Sequence, residues 1–168
     1  DALLVTNSAA TTTTSFTIKG GAGNDTIAGS NANDTLTGGN GTNSITGNGG
    51  TDNMTGGTGN DTFHIAAVND INTLSEVIIG GTGTDAVTVA TGLGSIDFSS
   101  ASITGVQTLN IGDTVGTYTL GTNSSSFTTI SSTVANIAQT VIMGAATASL
   151  TASLGQGADI LTLANGTN

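Results

Sequence analysis

The sequence predicts an all-β chain wound as a parallel β-solenoid, and three observations carry that expectation. Five nine-residue blocks follow one another without a gap from Gly20 to His64. Each block sets a single apolar residue between small or polar ones, the period of a short strand with one buried face. The composition, with 26 Gly among 168 residues and no Pro, Cys or Trp, supplies turns rather than large rings for a globular core. A hydrophobic content of 36% and a mean hydropathy of +0.19 are too apolar for a disordered polyelectrolyte. The length suits one domain or one continuous array.

In chain order, residues 1–19 read as an opening strand or first coil, with an open strand at 16–18. The blocks GGAGNDTIA, GSNANDTLT, GGNGTNSIT, GNGGTDNMT and GGTGNDTFH occupy 20–64 and begin at Gly20, Gly29, Gly38, Gly47 and Gly56. Their first six residues are Gly, Asn and Asp-rich, the types that accept positive φ and tight turns. Their last three form a strand too short to bury enough surface alone, so copies must stack. Two strands and two turns close a coil of 18 residues, with coils ~4.8 Å apart. Ile27, Ile45 and Phe63 then form one inward ladder, and Leu36 and Met54 the facing one.

The same period stacks the sixth positions. Asp25, Asn43 and Asp61 fall on one edge, Asp34 and Asp52 on the other. Like charges ~5 Å apart repel by roughly 1 kcal/mol in water and by more when partly buried. Lys19 is the one Lys or Arg and His64 the one His, against 11 carboxylates and a net charge of −10. A divalent cation reverses the sign of the repulsion. The only ligands on offer are oxygens, on flexible turns, which suits Ca²⁺ rather than zinc, copper or the strict octahedron of Mg²⁺.

These blocks resemble the G-G-x-G-x-D-x-U-x nonapeptide of the RTX (repeats-in-toxin) family, whose copies form a right-handed parallel β-roll that binds Ca²⁺. The resemblance implies ligands from the sixth-position side chains and from carbonyls of the second and fourth residues. By position these are Gly21, Gly23 and Asp25; Ser30, Ala32 and Asp34; Gly39, Gly41 and Asn43; Asn48, Gly50 and Asp52; Gly57, Gly59 and Asp61. A further copy, GGTGTDAVT, adds Gly81, Gly83 and Asp85. Asn43 keeps an oxygen but loses the charge, so the Asp34–Asp52 edge is expected to bind more tightly than pairs involving Asn43. With calcium about ten-fold above a Kd of ~10⁻⁴ M, each site contributes about 1.4 kcal/mol. Three or four such sites give about 5 kcal/mol, comparable to the stability of a small domain.

Past residue 65 the strict period breaks. Residues 65–168 read as a looser continuation of the right-handed solenoid, with copies at 80–88 and, truncated, at 155–161. Short strands are expected at 86–89, 107–111, 118–120, 127–130, 141–143, 149–154 and 160–163. Short helical stretches are expected only near 74–77 or 134–140. Residues 95–111 are similar to segments that follow RTX blocks in bacterial surface-layer proteins and other proteins of type I secretion, through Ile96-Asp97, Ile103-Thr104-Gly105 and Leu109-Asn110-Ile111. No signal peptide is visible at the start, and the final residues lack the stretch that a C-terminal export signal would occupy, so a segment of a longer chain or one unit of a tandem array is expected.

The charge excludes nucleic acid as a partner, which requires Lys and Arg. There is no run of 18 apolar residues for a membrane span. The expected function is a calcium-binding structural module of a secreted bacterial cell-surface protein (S-layer, fibre or adhesin), with Ca²⁺ driving folding and assembly. Its partners would be further copies meeting at solenoid ends or edges, with cell-surface polysaccharide as a second candidate. No enzyme is expected: lyase or glycosidase chemistry has only Lys19 and His64 as basic groups, and the best carboxylate pairs lie in the turns. The alternatives are the non-catalytic RTX part of a secreted enzyme, or an ice- or carbohydrate-binding segment. The Thr rows at Thr35-x-Thr37, Ser44-x-Thr46 and Asn53-x-Thr55 point to the latter, although Tyr118 is the lone Tyr.

Overall fold

The computed structural model describes residues 1–6, 13–71, 75–112, 115–122, 126–132, 138–144 and 149–163. It is an all-β parallel solenoid of about six turns. Strands β1 (Leu4–Val5), β3 (Thr26–Ala28), β5 (Ser44–Thr46), β7 (Thr62–Ile65), β9 (Ala86–Val89), β12 (Thr108–Ile111), β14 (Thr129–Ser132) and β16 (Thr151–Ser153) make one eight-stranded sheet in that order. A second sheet runs β2 (Thr17–Ala22), β4 (Thr35–Asn40), β6 (Asn53–Thr58), β8 (Val77–Thr82) and β11 (Ser102–Thr104). A third, of β10 (Ile96–Asp97), β13 (Gly116–Leu120), β15 (Gln139–Met143) and β17 (Ile160–Leu163), adds a third side to the later coils.

Register follows the nonapeptide phase. Ile27 pairs with Ile45 and Ile45 with Phe63. On the facing sheet Ile18, Leu36, Met54, Ile78 and Ile103 form one ladder. The first ladder continues through Val87, Leu109 and Ile130. Apart from half-buried Ile18, these side chains are at most 2% exposed, and one continuous core runs through the described coils.

The two sides of the early coils differ in a way the uniform nine-residue unit did not suggest. Strands of the first sheet are two to four residues long, whereas β2, β4, β6 and β8 have six. The longer ones run on through Gly20-Gly21, Gly38-Gly39, Gly56-Gly57 and Gly80-Gly81, whose second glycines pair in register. Those second glycines have φ near +106° to +119°, a region that L side chains avoid. After β3 and β5 the chain meets Gly29-Ser30 and Gly47-Asn48 instead, and the strand stops.

Beyond Ile65 the strands at 86–89 and 160–163 fall where the sequence places them, β12 to β16 lie within two residues of expectation, and β8, β10 and β11 were not expected as strands. The helical expectation is not met where the structure describes it. Val77 opens β8 and Gln139–Thr140 open β15, because their alternating burial suits a strand; residues 74 and 134–137 lie outside the described residues. One 3₁₀ turn, Val68–Asp70, sits in the linker before β8. The Thr rows also separate: Thr35-x-Thr37 and Asn53-x-Thr55 lie on β4 and β6, Ser44-x-Thr46 on β5 of the other sheet. They make two shorter rows on different faces. Tyr118 is fully buried, its hydroxyl donating to the Gly112 carbonyl at 3.3 Å, and offers no face to a sugar ring.

The ladder should be sensitive at its middle rungs. Ile45→Ala should cost about 2–5 kcal/mol, whereas Thr46→Ala on the outer face should stay within about 0.5 kcal/mol. Urea midpoints measured in excess calcium check both.

Candidate metal centre

Each sixth-position residue sits immediately before a strand, and stacking places it against the backbone of the coil before it. Asp25 Oδ1 accepts the Leu3 N–H (2.7 Å), Asn43 Oδ1 that of Asp25 (3.0 Å), Asp61 Oδ1 that of Asn43 (2.8 Å) and Asp85 Oδ1 that of Asp61 (2.8 Å). On the other edge Asp34 Oδ1 accepts from Phe16 (2.6 Å) and Asp52 Oδ1 from Asp34 (2.8 Å). The predicted division of the acids between two edges therefore holds, and each edge is a file of side chain to backbone bonds.

Two members of these files were not among the expected site residues. Glu76 Oε2 accepts the Asp52 N–H at 2.8 Å, continuing the second file, and Gln107 Oε1 accepts from Asp85 at 2.7 Å, continuing the first. Both follow a change of coil length. Partners in a file are 18 residues apart within the blocks, 24 between Asp52 and Glu76, and 22 between Asp85 and Gln107. A fixed nine-residue period steps past them. The signal that finds Glu76 is local: E-V-I-I-G-G repeats the acid-x-apolar-x-Gly-Gly pattern of D-T-L-T-G-G and D-N-M-T-G-G. In the truncated last copy, Asp159 Oδ1 accepts the Gln139 N–H at 3.0 Å in the same manner.

The second oxygen of these carboxylates is the chemically open one. Asp25, Asp52, Asp61 and Asp85 are at most 1% exposed, yet among the described residues their Oδ2 atoms have no hydrogen-bond partner; nor has Glu76 Oε1, in a residue 0% exposed. Each Asp Oδ2 lies over the bare Cα of the first glycine of its own block: Gly20, Gly47, Gly56 and Gly80 respectively. A methyl group on Gly20 would also meet the Gly38 carbonyl, and one on Gly56 the Gly80 carbonyl. First-position carbonyls of the next coil thus join the same oxygen-lined space, a contribution absent from the expected set.

The expected carbonyls are placed as follows. Those of Gly21, Gly39 and Gly57 face Gly39, Gly57 and Gly81 one coil on, and those of Gly23, Gly41 and Gly59 face Gly41, Gly59 and Gly83. The Ala32 carbonyl faces Gly50. Asn48 reaches φ 69° and is the one non-glycine with positive φ among the described residues, so Ser30 and Ala32 build a different turn. In that turn the Ser30 N–H and hydroxyl donate to Asp34, whose carboxylate is thereby partnered inside the protein. A cation at Asp34 competes with those donors, which weakens the reason for expecting the Asp34–Asp52 edge to be the tighter one.

Burial controls the protonation of the open acids. It raises Asp52 to about 7, against the opposing N–H of Asp34 and aided by the charges of Asp34 and Asp70. It raises Glu76 to about 8, with the Asp52 N–H opposing and Asp52 and Asp70 adding. Asp61 and Asp85 are also pushed up, first by burial. Burial lowers His64, which is half-buried and shares a 3.0 Å hydrogen bond with Ser44 Oγ rather than standing fully in solvent.

Buried, orphaned carboxylate oxygens beside carbonyls are a hard, all-oxygen donor set, and they fit Ca²⁺. Among the described residues no three His, Cys, Asp or Glu side chains converge. An ion would therefore rest on one or two carboxylates plus backbone oxygens.

Comparison with known families agrees with the geometry. Residues 17–45 and 28–63 match the RTX calcium-binding nonapeptide repeat (4 copies). That segment carries calcium-binding repeats in a β-roll, a repeat typical of secreted extracellular bacterial proteins. No curated protein and no solved structure is significantly similar to the chain.

The raised acids set the pH response. Unfolded carboxyls titrate near ~4, so between about pH 4 and 8 the metal-free folded chain, with Asp52 near 7 and Glu76 near 8, holds more protons than the unfolded one. Stability in chelator should then fall as pH rises through that window. Urea midpoints should be highest near pH 4–5 and lowest near pH 8, with calcium adding most at the upper end. Asp52→Asn, which keeps the file bond as Asn43 does, should flatten the decline. A midpoint in chelator that climbs from pH 5 to 8 contradicts this account.

Proposed function

We propose that the chain is a calcium-loaded structural module of a secreted bacterial cell-surface protein, an S-layer, fibre or adhesin component, in which Ca²⁺ completes folding and enables assembly. The observation that carries this reading is the pair of carboxylate files: buried, one coil apart, with orphaned oxygens, in a chain that has Lys19 as its only Lys or Arg. Side-chain ligands for ions between coils would come from Asp25, Asn43, Asp61 and Asp85 on one edge and Asp34 and Asp52 on the other, with turn carbonyls completing each shell.

The module is not an enzyme in this reading. Its acids face turn backbone rather than a cleft, and the one His is engaged with Ser44. Residues 95–111, similar to segments of type I-secreted surface proteins, wind through β10, β11 and β12 as one coil of the later solenoid. The assembly part of this reading rests on the strand ladders themselves, whose in-register parallel edges can accept a further winding from another copy. Open strand edges favour pairing with another chain.

Removing calcium at pH 7.5 should weaken the β signal in far-UV circular dichroism and lower the melting temperature, and restoring it should recover both. A spectrum and melting temperature indifferent to chelator would refute the reading. Light scattering should show oligomers growing with protein concentration in calcium; a strict monomer would remove the assembly part.

A further inference from the structure

The repeats that match the calcium-binding family end at Phe63, yet the second carboxylate file does not end with them. Its last member is Glu76, at the end of the linker that replaces the turn of a nonapeptide. From Glu76 onward the chain is back in phase: Val77, Ile78, Ile79 and Gly81 pair with Asn53, Met54, Thr55 and Gly57. Glu76 thus occupies the sixth position of a coil whose preceding turn has a different sequence and length.

The side chain is used as the sixth-position Asp residues are used. One oxygen accepts the N–H of the residue a coil earlier, at 2.8 Å from Asp52; the other, Oε1, is buried without a partner in a residue 0% exposed. Asp52 Oδ2, one coil away in the same file, is orphaned too. Asp70 adds a third negative charge nearby while spending one carboxylate oxygen on the N–H groups of Ala66 (2.8 Å) and Ala67 (2.7 Å). On this edge the fourth-position carbonyl of Ala32 faces the following coil, as the second- and fourth-position carbonyls of the Gly20, Gly38 and Gly56 blocks do on the other, and the matching positions of the Asp52 copy are Asn48 and Gly50.

From this juxtaposition we infer that Glu76 and Asp52 hold a further Ca²⁺ at the junction between the regular blocks and the looser coils, with Asn48 and Gly50 supplying carbonyls. The inference rests on the functional reading above and extends it to a residue outside the matched repeats. The ion ties Glu76 to the last regular turn of that edge, where the coil lengthens by six residues and would otherwise set buried carboxylates against each other.

The chain contains its own control for a test. Gln107 makes the same file bond with a neutral amide, so Glu76→Gln keeps the hydrogen bond to Asp52 and removes only the charge. Calorimetric titration of the 168-residue chain with CaCl₂ at pH 7.5 should show E76Q taking up one ion fewer than wild type, and Asp61→Asn on the other file serves as the comparison. Urea midpoints separate loss of a ligand from loss of the fold. In chelator E76Q should be as stable as wild type or more so, and its gain on adding calcium should be smaller. Glu76→Asp should keep the ion with weaker affinity. If D61N loses calcium while E76Q binds as many ions as wild type with equal affinity, or gains as much stability from calcium, the Glu76 site is overturned and the repeat sites stand. A wild-type chain that takes up no calcium overturns both.

Discussion

Coil-to-coil coupling through the sixth position is the constraint on which the rest of this solenoid depends. A carboxylate or amide placed just before each strand can reach only one backbone N–H of the preceding coil, and it does so in every described copy. That bond fixes register between neighbouring windings as firmly as the ladder itself, because it forms only when coils align residue for residue. It also buries an ionisable group. A neutral Asn makes the bond equally well, as Asn43 does at 3.0 Å. The preference for Asp is therefore explained by what its second oxygen meets. Over the bare first glycine, and in the Gly20, Gly56 and Gly80 blocks beside a carbonyl of the next coil, that oxygen has no donor among the described residues. An isolated buried carboxylate must protonate or find a cation. The fold thus converts a packing device into calcium dependence, and the absence of internal basic residues leaves no competing solution.

The glycines belong to the same argument. The first glycine of each block is required by crowding: a Cβ there would overlap its own sixth-position side chain. The second, on the Gly-Gly blocks, is required by φ near +110° within a strand that must continue. Where the second glycine becomes Ser30, the turn changes and its hydroxyl and N–H satisfy Asp34 directly. A single side chain thus moves one carboxylate from needing an external partner to having an internal one.

Much of this was legible in the sequence because the repeat period and the coil period coincide. The ladders Ile27–Ile45–Phe63 and Leu36–Met54, and the split of the acids between two edges, follow from the nine-residue phase alone. Glu76 and Gln107 did not follow from it, because their coils are longer and their role is defined by stacking rather than by distance along the chain. The six-residue strands were hidden for a related reason. Gly-Gly reads as a turn in isolation, and only pairing with Gly-Gly above and below makes it strand. That β13, β15 and β17 form a third sheet was likewise not apparent, since its first strand, β10, is two residues long and carries no periodicity of its own.

The passage from two sides to three explains why the acid files stop where they do. Within the blocks a coil of 18 residues has two turns, both tight, and both can present oxygens to a neighbour. The 24-residue step to Glu76 puts its extra length into the linker with the 3₁₀ turn; from β10 onward the extra length goes into a third strand, and the buried apolar surface per coil rises through Phe98, Tyr118, Leu120 and Val141. Such coils gain stability by burial that the two-sided coils, with one ladder residue per strand, cannot match. They have correspondingly less need of ions. Gln107 closes the first file with an amide that makes the register bond and leaves no charge. The solenoid therefore divides its stabilisation along its length, electrostatic at the narrow end and hydrophobic at the wide one, with Glu76 and the linker before it at the boundary.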